Sequence, residues 1–223
     1  CINAVNPDII VLLGDIIDAK NPLFEPLENL LSGIYSDYTI YAISGNHENA
    51  LSYSDFTTLK KLYSSYSVTF LRDEGIELSL RDSSDSIMLW GGDDPPVWND
   101  SAIDYIAENG LGVSPTPGMF NIFLYHRANL FPEVYKHGFD LVLSAHLHGG
   151  QVRLPLIGGL VSPTRKWFPN YTAGIYTKAN SYAEEGLPDI STMIVGRGLG
   201  NTAEIPRIFN PPEIFTVTLR TGS

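Results

Sequence analysis

The sequence predicts a layered α/β protein on three observations. Several apolar runs continue without polar interruption, amphipathic segments separate the first of them, and most of the runs end in a side chain able to bind a metal. A strand that is apolar at every position is buried on both faces. In a chain that alternates such strands with helices, this means sheets covered by helices.

The elements follow in order. "PDIIVLLGDIID" (7–18) reads as a buried strand running into a Gly-Asp turn, and "PLFEPLENLLSGIY" (22–35) has helical spacing. "YTIYAISGNHEN" (38–49) is a second buried strand that breaks into a loop at Gly45. "YSDFTTLKKLYSSY" (53–66) is an amphipathic helix with Ser54 or Asp55 as its cap. From residue 68 short strands succeed one another, with turns at Asp73–Gly75 and Asp82–Asp85; "IELSLR" alternates, which suits antiparallel pairing. A short helix over 100–109 leads to two more buried strands, "MFNIFLYH" and "FDLVLSAH", with a helical segment between them that ends near His137, where a cation suits the helix dipole. A Gly/Pro/aromatic-rich loop (152–176), the strand "TMIVGRG" and an alternating strand "EIFTVTL" complete the chain.

Composition narrows the function. A chain of 223 residues with 43% hydrophobic content supports a real core, and the absence of a linker predicts one domain over 1–223. The net charge of −11 lacks the basic face of a nucleic-acid binder, so no nucleic-acid partner is expected. It does not exclude an anionic substrate, because bound divalent ions invert the local field. The single cysteine, Cys1, rules out an internal disulfide. No run in the sequence is long enough to span a bilayer and none reads as a signal peptide, but both absences carry little weight because the chain is expected to start in mid-fold.

The chemistry sits at the strand ends. Asp15 follows "IIVLLG", Asn46 and His47 follow "YAISG", His126 ends "NIFLY", and His146 and His148 follow "LVLSA". In layered α/β folds such ends converge on one rim. Imidazoles, a carboxylate and an amide oxygen together suit manganese, iron, zinc or cobalt better than a thiolate site does. Two such ions need an anionic bridge, which Asp15 can supply, and a shared water whose pKa they depress. His47, beside Asn46, is the candidate catalytic histidine. In His146-x-His148, alternate residues of a regular strand share a face, so both imidazoles can reach one centre.

The order "GDIID", "GNHE", a strand-end histidine and "AHLHGGQ" resembles the calcineurin-like metallophosphoesterase superfamily. "WGGDDP" and the tail "MIVGRGLGNTAEIPRIFNPPEIFTVTL" resemble its bacterial branch that often carries an N-terminal membrane anchor or export signal. The resemblance implies a four-layer α/β/β/α sandwich of two mixed sheets, with the first strand missing from this chain. It implies Asp15 as the bridging ligand. Asn46, His126 and His146 complete one metal site, His148 belongs to the other, and Gly45 and Gly149 shape the loops. It implies two divalent ions, manganese favoured over iron or zinc, and a bacterial cytoplasmic or membrane-associated setting.

Three departures from the family pattern matter. The family's opening Asp-x-His motif is absent, so the second metal site is expected to be depleted in this chain. Ala145 stands where the family usually has Gly, which is tolerable if the backbone there is ordinary. "HRANLF" replaces a common His-x-Pro pattern and brings Arg127 near the site, a candidate for binding phosphate. Arg153, Arg165 and Lys166 beside Trp167, Phe168 and Tyr171 suit a phosphoester carrying a base or lipid, and "LPLIGGLV" suits peripheral membrane contact. The expected activity is hydrolysis of a phosphodiester or lipid-linked phosphate. Hydrolysis of a nucleotide-sugar lipid pyrophosphate, a soluble-nucleotide phosphomonoesterase and a catalytically degenerate interaction scaffold are the alternatives. The sequons at Asn99 and Asn170 decide nothing without a secretory context.

Overall fold

The computed structural model describes residues 2–79, 85–97, 101–163, 165–181, 184–201 and 205–220. In chain order the elements are α1 (Ile2–Val5), β1 (Ile9–Leu12), α2 (Glu25–Ser32), β2 (Thr39–Ala42), α3 (Asn46–Ala50), α4 (Tyr53–Ser65), β3 (Val68–Phe70), β4 (Glu74–Ser79), β5 (Ser86–Gly91) and α5 (Ser101–Asn109). They continue with β6 (Phe120–Arg127), α6 (Phe131–Val134), β7 (Leu141–Ala145), β8 (Arg153–Leu154), β9 (Gly158–Gly159), β10 (Gly174–Ala179) and β11 (Ile190–Val195).

Two sheets lie at the centre. The smaller has the order β1-β2-β3 and is parallel at both pairings; the larger has the order β10-β11-β7-β6-β5-β4 and is mixed, with its two outermost strands antiparallel. Three apolar clusters separate four layers. Ile40 and Ala42 of β2 meet Leu27 and Leu31 of α2 and Leu59 and Tyr63 of α4. The alternate residues Tyr41 and Ile43 face Ile122, Leu124, Leu141 and Leu143 of the larger sheet. Phe123, Tyr125 and Val142 turn to that sheet's other face, against Ala102 and Ile106 of α5 and Phe131 and Val134 of α6. Neighbouring positions thus point into different cores, which is why these strands are apolar throughout. Phe123 is fully buried and stacks between Tyr125 and Phe139 at 5.1 and 4.3 Å, worth about 2–3 kcal/mol of transfer free energy.

Several elements differ from expectation. Ser52, not Ser54 or Asp55, caps α4, accepting from Asp55 N at 3.1 Å. Chain reversal before β4 falls at Arg72–Asp73, where Asp73 takes φ 53°, and Gly75 is already in the strand. The expected turn at 82–84 and the sequon residue Asn99 lie outside the described residues. Residues 213–219 alternate like a strand but form none; Phe215 packs against the core between the sheets and over Gly196, and Glu213 N donates to the Gly198 carbonyl at 3.1 Å, so packing and hydrogen bonds at Glu213 hold the segment where a ladder was expected. The loop expected over 152–176 contains the short pair β8–β9. Burial lowers the His137 pKa, so His137 is not held as a cation at its helix end.

Candidate metal centre

β1, β2, β6 and β7 present their C-terminal ends on one rim. The loops after β1 and β2 can meet there because two glycines let backbone touch backbone. A Cβ on Gly14 (φ +79°) would lie 2.6 Å from Gly45 N, and one on Gly45 would lie 2.9 Å from the His126 ring and closer still to the Asp15 carboxylate. Asp15 itself is left-handed, with φ 52°, a conformation Asp tolerates better than most residues.

His126 arrives from the other sheet. Pairing of β6 with β7 slips between Leu124 and Arg127, so β6 bulges at Tyr125–His126 and re-aims the imidazole. His126 Nδ1 lies 2.7 Å from the Leu13 carbonyl and donates to it, leaving Nε2 for Asp15 Oδ2 at 2.9 Å and His146 Nδ1 at 3.2 Å. One ligand atom from each of Asp15, His126 and His146 lies within 4.8 Å of the others.

The electrostatics follow from this packing. Burial opposes the charge on Asp15, but His126, His146 and His47 together hold its carboxyl well below the usual range. Burial likewise opposes the His126 cation, yet Asp15 raises its pKa to about 9. Burial and then His126 depress His146 far below an ordinary imidazole. Without metal the centre is therefore a carboxylate–imidazolium pair beside a neutral histidine. A metal bound at this group would compete with the His126 Nε2 proton.

The donor set fits a metal on a further observation. Asn46 Oδ1 and His148 Nδ1 are both buried and have no hydrogen-bond partner among the described residues. Asn46 Oδ1 offers a lone pair, and His148 Nδ1 does so in the tautomer protonated at Nε2; a cation would resolve both. His148 lies outside the Asp15–His126–His146 cluster, and burial, reinforced by Arg207, lowers its pKa to about 4, so it is a neutral ligand in waiting.

The shared-face expectation for His146 and His148 needs correction. β7 ends at Ala145, and the next residues leave the strand: His146 (φ 74°), His148 (φ 47°), Gly149 (φ 69°), Gly150 (φ 75°) and Gln151 (φ 42°) are all left-handed. Left-handed non-glycine residues cost about 1–3 kcal/mol each and persist where surroundings over-determine them. Here Asn210 Nδ2 donates to the His148 and Gln151 carbonyls at 2.6 and 3.1 Å, and Arg153 Nη1 donates to the Gly149 carbonyl at 2.8 Å. Ala145 has no positive φ, so its methyl is accommodated.

His47 lies beside the cluster. Its backbone N–H donates to Asp15 Oδ1 at 2.8 Å, its Nδ1 accepts from Ala19 N at 3.2 Å, and Asp18 Oδ1 stands 3.0 Å from the same nitrogen. Arg127 is buried and gives Nε and Nη2 to Asp94 at 2.8 and 2.6 Å, leaving Nη1 as the guanidinium nitrogen that Asp94 does not engage. A 470 Å³ cavity, lined by Asn46, Asn49, Tyr105, Tyr125 and Arg127 among others, lies next to the centre. Arg153 braces the histidine loop and lines a separate recess.

Sequence reasoning passed over two residues. Glu48 is buried, and its two oxygens accept from Asp15 N (2.6 Å), Gly45 N (2.7 Å), Ile16 N (2.7 Å) and Ile17 N (3.1 Å). Burial and the charge of Asp15 push its pKa up, but four donors occupy all four lone-pair positions and leave none for a proton, so it is held as carboxylate. Asp94 is the buried partner of Arg127. The signals were the last letter of "GNHE" and the second Asp of "WGGDDP".

Fold and centre define a class: an α/β/β/α protein whose strand ends offer a carboxylate, an amide and imidazoles to divalent metal. A family model described as calcineurin-like phosphoesterase matches residues 1–150, and the chain belongs to that family of phosphoester hydrolases. It is 30% identical over 221 residues to metallophosphoesterase YkuE of Bacillus subtilis, spanning 98% of this chain and 70% of that protein. It is 26% identical to metallophosphoesterase YkoQ of the same organism, over 93% of this chain and 70% of that one. It is 23% identical to phosphodiesterase YaeI of Escherichia coli, over 96% and 70% respectively. Among the described residues no helix is long and apolar enough to cross a membrane.

Proposed function

We propose that the protein is a metal-dependent phosphodiesterase acting on a soluble phosphodiester or a lipid-linked phosphate, with two divalent ions, manganese in preference to iron or zinc. The observation that carries this reading is the gathering of Asp15, His126 and His146 ligand atoms within 4.8 Å of one another. Asp15, Asn46, His126 and His146 would hold one ion, and His148 would contribute to the second site, which is expected to be depleted in this chain. The bound ions supply charge to offset the phosphate and a nucleophile at neutral pH. Asp18 Oδ1 and Ala19 N both lie against His47 Nδ1, which leaves Nε2 as the nitrogen that would donate to the phosphoryl or leaving oxygen. Arg127 Nη1 binds a non-bridging oxygen, with Asp94 fixing the guanidinium plane. The nearby relative named as a phosphodiesterase supports a diester.

The test is hydrolysis of an aryl phosphodiester in manganese, compared with the matching monoester and with a His126→Ala variant. The reading predicts preference for the diester and its loss in the variant. Equal rates for wild type and variant would overturn it.

A further inference from the structure

The chain is strongly acidic, yet residues 141–183 contain none of its 25 Asp and Glu and four of its 14 Lys and Arg: Arg153, Arg165, Lys166 and Lys178. Three extended segments of this stretch lie side by side with residues 207–209. Residues 207–209 bond to 151–153, through Arg153 N to the Ile208 carbonyl and Ile208 N to the Gln151 carbonyl. Val152 accepts from Leu160 N, β8 pairs with β9, and Phe168 N donates to the Leu160 carbonyl. The outcome is a small platform, and its rim is apolar. Leu156, at the β8–β9 turn, is fully exposed; Ile157, Trp167, Phe168 and Phe209 are 61%, 70%, 67% and 78% exposed. Leu156, Ile157 and Phe209 share one recess, while Arg165 and Lys166 are exposed immediately before Trp167 and Phe168.

Large side chains this bare, gathered on one platform, mark a surface that meets something. We propose that the platform docks on an anionic phospholipid bilayer. Leu156, Ile157, Trp167, Phe168 and Phe209 enter the headgroup–acyl boundary, and Arg165 and Lys166 meet lipid phosphates. Charge selects this occupant. A bilayer with anionic lipid presents one sign of charge over its whole face, which a stretch without a single carboxylate matches. A second copy of the chain would set the same cations against each other. The platform is also tied to the metal-ligand loop, through Arg153 to the Gly149 carbonyl and Asn210 to the His148 carbonyl. Docking would therefore bring the centre to the edge of the headgroup layer, where a lipid-borne phosphoester is within reach. The surface stands on exposure and charge and does not depend on the phosphodiesterase reading.

The experiment is vesicle flotation, with vesicles of phosphatidylcholine alone or of equal parts phosphatidylcholine and phosphatidylglycerol. The wild type should float with the mixed vesicles and less so as salt rises. A Leu156→Ser/Ile157→Ser variant should bind about tenfold more weakly, with little change in melting temperature because both side chains are mostly in water. Arg165→Gln/Lys166→Gln should weaken binding roughly fivefold per charge and flatten the salt dependence. The proposal is overturned if the wild type stays with neither vesicle, or if the apolar double variant binds as well as wild type. It is also overturned if sedimentation shows a dimer that this variant dissolves while vesicles bind neither form, which would assign the platform to a second copy. Flotation without diester hydrolysis would sink the proposed activity and leave this surface standing.

Discussion

The two flanks of the metal centre are built by different means. On the carboxylate flank, Gly14–Asp15 and Gly45–Glu48 touch directly, and the Glu48 carboxylate alone takes the backbone N–H groups of Asp15, Ile16, Ile17 and Gly45. On the imidazole flank, the loop after β7 runs through five left-handed residues. His148 Nδ1 and both amide atoms of Gln151 are buried there without partners among the described residues. That loop is held from outside, by Asn210 and Arg153. The carboxylate flank is thus pre-organised by two short motifs bonding to each other. The imidazole flank depends on the last third of the chain and leaves the His148 nitrogen as a group that a bound cation could satisfy.

The largest effect tests whether the flanks form one centre. Asp15→Ala should lower diester hydrolysis by about a thousandfold, the scale of losing a pre-organised electrostatic group. Manganese titration by calorimetry should show the same loss in affinity; an unaltered binding isotherm would separate Asp15 from the centre.

Next is the pre-organisation of the carboxylate flank. Glu48→Gln keeps the shape but turns an amide NH2 toward two backbone donors, so urea unfolding should show a loss of about 3 kcal/mol. A loss within error would mean that the motif does not need its acceptor.

The imidazole flank should respond differently. Asn210→Ala removes the donor to the His148 and Gln151 carbonyls and should weaken manganese binding about 10–100-fold. Its cost in metal-free stability should be smaller than that of Glu48→Gln. If the two variants show the same balance between stability and metal affinity, the contrast between the flanks fails.

The smallest effect per step is continuous in pH. Metal competes with the His126 proton, so apparent manganese affinity should rise by up to about tenfold per pH unit and level off near 9, the raised His126 pKa. In chelator the sign reverses for stability. A histidine whose folded pKa is raised stabilises fully below about 6.5 and loses that contribution as pH climbs to about 9, so melting temperature should fall across that window. A flat affinity profile would remove His126 Nε2 from the ligand set.

The sequence was informative where chemistry is local. Two-faced apolar strands such as 40–43 and 122–125 were legible because both faces meet cores, and the ligand types at their ends were legible as residue types. The segment 213–219 misled because alternation states which side is buried but not whether a neighbouring strand is free to pair. His146 and His148 misled because a two-residue spacing was taken as strand geometry, whereas the backbone has already turned left-handed. Arg127 was placed near the site, but its partner Asp94, far away in sequence, could not be read from "HRANLF".

The sequence by itself determined the layered α/β class, the strand ends that carry function and the metal-seeking chemistry of Asp15, Asn46, His126 and His146. Only the tertiary structure decided that Glu48 serves as acceptor for a neighbouring loop, that Arg127 is bound by Asp94, and that Asn210 holds the carbonyl of His148. The physical reason is range. What a side chain can bond to is written in its own atoms, but which group it meets depends on loops distant in sequence being brought within 3 Å by packing of the sheets.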